Sequence, residues 1–81
     1  MIPSSDTVDK TITEVINAFA QEKWAEGKEG LQDLASWYKS SGAGVETFID
    51  LCTYIENEAV GKSGNEFIRT KIGLNLRMGA A

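Results

Sequence analysis

Apolar residues recur with the period of a helix from near the start of the chain. At ~100° per residue, Val8, Ile12, Val15 and Phe19 fall within an arc of about 60°, with Ile16 at its margin, which is a core-facing stripe. Ser4, Ser5 and Asp6 follow Pro3 and supply N-cap candidates, while Asp6 and Asp9 suit the positive end of a helix dipole. A first helix is therefore expected from about residue 5 to about residue 26. Beyond it, Gly27 and Gly30 interrupt strong helix formers, each at a cost of about 1 kcal/mol relative to alanine. On one straight helix Leu31, Leu34 and Tyr38 would lie about 90° around from the first stripe, and a single flat core cannot receive both. The pattern predicts a bend or break near Gly27 and a second helix over residues 28–40.

Ser40-Ser41-Gly42-Ala43-Gly44 reads as a loop, and a third helix over residues 44–60 follows, with Val45, Phe48, Ile49, Cys52, Ile55 and Ala59 on one face. Gly61 is expected as its C′ residue. Ser63-Gly64-Asn65-Glu66 has the form of a capping box and predicts a fourth segment over residues 64–77. Read as a helix, that segment puts Phe67, Leu74 and Met78 on one edge and Ile68, Ile72 and Leu76 on the other, an apolar arc of about 200°. Read as a strand, Ile72, Leu74, Leu76 and Met78 alternate with Gly73, Asn75 and Arg77, and such a strand would need a partner from another chain. Helix is the favoured reading over residues 73–79, with Gly73 as the objection to it.

These elements define an all-α fold: a small four-helix bundle or orthogonal helical array, the first helix bent or broken near Gly27 and the last segment part strand in the alternative reading. No repeat, low-complexity stretch or linker divides the 81 residues, so residues 1–81 read as one helical domain. A chain this short buries roughly 60–65% of its unfolded surface and often relies on a disulfide, a metal or a partner. Cys52 is the single cysteine and histidine is absent, which leaves association as the remaining route. The lone thiol points to a reducing compartment, and we expect a cytoplasmic protein. The opening Met1-Ile2-Pro3-Ser4-Ser5-Asp6 lacks the basic and apolar regions of a secretion signal, and no apolar run approaches the ~20 residues of a membrane span.

Charge is divided along the chain. All twelve acidic residues precede Phe67, against five lysines, while residues 67–81 hold Arg69, Lys71 and Arg77 and no acid. The formal net charge is −4. Three cations are a thin footprint for phosphate neutralisation, so nucleic acid is not an expected partner. A helix-turn-helix built on the Ser40–Gly44 loop would present Glu46, Asp50 and Glu56 to DNA, the wrong sign for a recognition helix.

Candidate chemistry is sparse. Without histidine, neither a Ser-His nor a Cys-His nucleophile pair can be assembled. Cys52 lies on an apolar stripe with no cation within a turn, which describes a packing thiol. Gly61-Lys62-Ser63 lacks the preceding glycine and strand of a phosphate loop. An acyl carrier would share the size and acidity, yet neither Ser36 nor Ser63 has the Asp-Ser-Leu setting of its modified serine. No cofactor, no metal and no catalytic residue is expected.

Residues suited to contact with a protein partner are more numerous. Glu22, Glu26, Glu29 and Asp33 would line one ridge if the helix ran through Gly27; the plain reading is a solvated face, the functional one contact with a basic target. Trp24, Trp37 and Tyr54 lie off their local stripes, and for Trp24 and Tyr54 partner contact is weighed against a second core face. Arg69 and Arg77 either meet a helix dipole or pair with the acidic ridge, within one chain or between two. Together these features lead us to expect a non-enzymatic protein-interaction module, a small acidic regulator, adaptor or accessory subunit that self-associates. The alternative is an acidic inhibitor of a basic enzyme or of a nucleic-acid-binding target, of the immunity or anti-defence type.

Overall fold

In the computed structural model, which describes residues 3–80 and side chains through residue 77, four helices follow one another with short turns. They are α1 (Ser5–Ala20), α2 (Trp24–Ser41), α3 (Val45–Ser63) and α4 (Arg69–Ala80), the last preceded by a 3-10 turn over Glu66–Ile68. No strand occurs among the described residues. The fold is a small all-α bundle in which α1 and α4 each pack against both α2 and α3.

Ser4 caps α1, its hydroxyl accepting from the Thr7 amide at 3.3 Å. The stripe behaves as its period requires: Val15, Ile16 and Phe19 are buried, and Val8 and Ile12 pack at the edge of the core. The break after α1 falls at Gln21–Lys23, earlier than the Gly27 position that the glycines suggest. Glu22 takes a left-handed conformation (φ 61°), and the Lys23 amide reaches back to the Ala18 carbonyl at 2.8 Å, the 6→1 bond of a Schellman turn. Glycine usually holds that position, which is why the stop is hard to see in the sequence.

Gly27 and Gly30 sit inside α2 for a different reason. A Cβ on Gly27 would overlap the Phe19 ring, 2.5 Å from Cδ1 and 2.8 Å from Cζ, and one on Gly30 would lie 2.6 Å from Val15 Cγ2. The two glycines, one helical turn apart, let the α2 backbone lie directly on the α1 stripe. The same α2 face buries Leu31 and Leu34 completely. Gly42 ends α2 in the left-handed conformation (φ 78°), and the Ala43 amide bonds the Tyr38 carbonyl at 3.3 Å.

Helix α3 runs on through Gly61 to Ser63, so the residue in the C′ position is Gly64 (φ 67°), whose amide bonds the Val60 carbonyl at 3.1 Å. Ser63 is thereby enclosed in α3 and cannot open a capping box. Its hydroxyl instead donates to the Val60 carbonyl at 2.9 Å and accepts from the Asn65 amide at 3.0 Å. Asn65 takes the capping role, its Oδ1 accepting from the Phe67 amide at 3.0 Å.

Residues 69–80 are helical through Gly73, which settles the choice between helix and strand. Ile72 and Leu76 are buried with Ile68 while Leu74 between them is exposed, as a helix allows and an alternating strand, which would put all four on one face, does not. Only this edge of the expected 200° arc is covered. Phe67 and Leu74 on the other edge face solvent, and the Met78 side chain lies outside the described residues.

Candidate interaction surfaces

The helical pairs α1/α2 and α3/α4 present chemically different surfaces. Between α1 and α2 lies an open groove of about 670 Å³. Glu14 enters it from α1, and Glu26, Glu29 and Asp33 from α2; Lys23 at the turn is the only cation among the lining residues. Three members of the expected carboxylate ridge are therefore on one surface. Glu22 is not among them, because the turn that ends α1 removes it from the helix. Glu14 takes its place, brought across by the antiparallel return of α2, which sequence spacing could not register. Among the described residues no three acidic side chains are gathered closely enough to hold a metal ion.

Trp24, weighed as a partner-binding side chain, is engaged within the fold. Its half-buried ring lies 6.0 Å from that of Phe19, and the Lys71 ammonium stands over it, 5.4 Å from its centroid. This cation–π contact fastens α4 to the start of α2. Trp37 packs at the margin of the core, and Tyr38 meets Phe48 edge-on at 5.7 Å across the α2–α3 turn. Tyr54 remains 52% exposed on α3.

Arg69 does not approach the α2 ridge. Its guanidinium donates to Glu56 Oε2 at 3.0 Å, to Asn57 Oδ1 at 2.8 Å and to both carboxylate oxygens of Glu66. The planar fork suits this arrangement, and it ties the start of α4 to the middle of α3. Hydrogen bonding from Arg69 holds the Glu66 carboxyl below its ordinary pKa, and the bonds to Glu66 and then Glu56 hold the guanidinium above its own. Arg77 is exposed and forms no ion pair among the described residues.

Arg77 lines a second groove, of about 400 Å³, between α3 and α4. Phe48, Ile49 and Cys52 form its α3 wall, Leu76 and Gly73 its α4 wall, and Glu56 one rim. Burial raises the Cys52 thiol above its ordinary pKa, so it stays protonated near neutrality and behaves as a packing group. The α3 stripe is not covered along its whole length. Leu51, Ile55, Ala59 and Val60 are buried, whereas Val45 is 76% and Ile49 55% exposed.

No family model, curated protein or solved structure matches this chain. The surfaces must be interpreted from their own chemistry.

Proposed function

We propose that the chain is a non-enzymatic protein-interaction module, a small acidic regulator, adaptor or accessory subunit that self-associates in the cytoplasm. The observation that carries this reading is the distribution of exposed apolar side chains. Val45, Ile49, Tyr54, Phe67 and Leu74, the large hydrophobic residues exposed among those described, all lie on α3, the 3-10 turn and α4. Single exposed hydrophobics are ordinary on a soluble domain, but confinement of all five to one helical pair makes that half of the molecule the better suited to a partner. Phe67 is the extreme case at 95% exposure, on a turn fixed by the Asn65 cap and the Arg69–Glu66 pair. A pre-ordered aromatic of this kind loses little conformational freedom on binding.

Light scattering coupled to size-exclusion chromatography, run over a wide concentration range, tests the self-association. A mass that rises toward that of two or more chains with concentration supports it, and a constant monomer mass removes it.

A second reading has its own supporting observation. Glu14 joins Glu26, Glu29 and Asp33 along the α1/α2 groove, which favours an acidic inhibitor that docks a basic enzyme or nucleic-acid-binding protein. No α1 or α2 residue is among the large exposed hydrophobics, so binding there would be electrostatic and steeply salt-dependent. Changing these four carboxylates to amides should abolish capture by a lysine-rich protein surface, and unchanged capture would refute this reading.

A further inference from the structure

We propose that the α3/α4 groove is closed by the same groove of a second copy, making an isologous dimer of two α3–α4 hairpins. This rests on the self-association proposed above and specifies its geometry. Residues 45–80 carry five acidic and four basic side chains, against seven and four in residues 3–44. Two copies therefore meet with least repulsion through the α3–α4 half, where the exposed apolar residues also lie.

The register of the hairpin makes this groove self-complementary. A Cβ on Gly73 would stand 3.1 Å from Glu56 Oε1, so Gly73 and Glu56 are level with each other. Arg69 meets Glu56 and Asn57, and Leu76 and Arg77 share a groove with residues 48–53, so α4 runs back along α3 and Arg77, one turn beyond Gly73, lies near the level of Cys52. A two-fold axis parallel to the hairpin keeps these levels and exchanges the helices, so that α3 of each copy lies on α4 of the other. Ile49 of one copy, the one large exposed hydrophobic that lines the groove, then turns with the half-buried Cys52 toward α4 of its mate, while Leu76 stays buried in its own core. Glu56 of one copy comes within about 6 Å, four residues of helix, of the level of Arg77 of the other, a gap that an arginine side chain spans.

Both charges are available for this contact. Arg69 engages Glu56 through Oε2, and among the described residues Oε1 accepts no hydrogen bond and Arg77 forms no ion pair. A second copy supplies acid and cation at the required places by symmetry. The area is modest. With α3 about 28 Å and α4 about 18 Å long, each about 10 Å wide, a copy offers roughly 460 Å² to its mate, about 900 Å² in all, which is the size of a weak, transient interface. Dissociation in the micromolar range or weaker is expected.

Sedimentation equilibrium from about 10 μM to 1 mM tests the proposal, with circular dichroism confirming that each variant is folded. The wild-type chain should dimerise. Ile49→Glu and Arg77→Glu, both at exposed positions, should each weaken dimerisation at least tenfold, and adding Glu56→Arg to Arg77→Glu should recover part of the loss. A wild-type chain that stays monomeric throughout overturns this dimer together with the self-association. A dimer unmoved by Ile49→Glu and Arg77→Glu but dissolved by Phe67→Ser or Leu74→Ser overturns the groove contact and leaves self-association standing.

Discussion

Replacing Gly27 with alanine should destabilise the protein, although the residue lies in a helix where alanine is intrinsically the better former. Two effects oppose each other. Propensity favours alanine by about 1 kcal/mol, and inserting a methyl into a filled core costs about 1–3 kcal/mol. At Gly27 the steric effect should prevail. The added Cβ would fall 2.5 Å from Phe19 Cδ1 and 2.8 Å from Cζ, and the Phe19 ring is fully buried, so it has no open space to move into. Relief would require the α1–α2 seam to open. The difference is a net loss of up to about 2 kcal/mol, equivalent to a fall in Tm of up to roughly 8–16 °C for a domain of this size. Gly61→Ala is the internal control: the glycine is in α3, with no atom within 4 Å of the added Cβ. It should raise Tm by roughly 3–6 °C through propensity alone. Paired thermal melts by circular dichroism measure both. If Gly27→Ala raises Tm as much as Gly61→Ala, the α1–α2 contact is looser than described and the account of the glycine pair fails. Combining Gly27→Ala with Phe19→Leu should cost less than the sum of the two single changes, since the smaller side chain makes room for the methyl.

Asn65→Ala removes the acceptor that caps the 3-10 turn and should lower stability by about 1 kcal/mol, read as a shift in urea midpoint without change in m-value; an unchanged midpoint would show that the turn holds without its cap. For Glu66 the folded pKa lies below the unfolded one, so the stability from its pairing with Arg69 is present above about pH 4.3 and is lost as pH falls through the folded value. Glu66→Gln should therefore melt below wild type at pH 7, with the difference shrinking under acid. A gap that stays constant to pH 3 would dismiss the ion pair as its cause. Cys52, with its raised pKa, should react with an alkylating reagent at pH 7.5 more slowly than a thiol in a short unstructured peptide, and equal rates would contradict its half-buried place in the groove.

The four helices were readable because each carries a stripe with the right period, and burial of Val15, Phe19, Leu31, Leu34, Ile55 and Ile72 follows those stripes. The helix ends were less readable. Glu22 occupies a left-handed position that glycine normally marks, so no residue type signals the first stop ahead of Gly27, and Gly61 offers the same C′ signal as Gly64 three residues early. For the candidate surfaces, Glu26, Glu29 and Asp33 could be grouped by spacing along one helix. Glu14 could not, since its neighbours in space lie on the next helix. The Arg69–Glu66 pair is legible from its i, i+3 spacing, but the second partner, Glu56, is thirteen residues away and depends on how α4 returns along α3.

By itself the sequence determined the helical class, the core-facing stripes and the uneven distribution of charge, because these depend on periodicity and composition within single elements. Tertiary structure alone decided what Gly27 and Gly30 are for, which edge of α4 is covered, and that Trp24 and Arg69 hold the fold together. Each of those outcomes depends on how closely two helices approach and at what rotation. That geometry is set by the fit of side chains far apart in the chain, of which one helix in isolation carries no record.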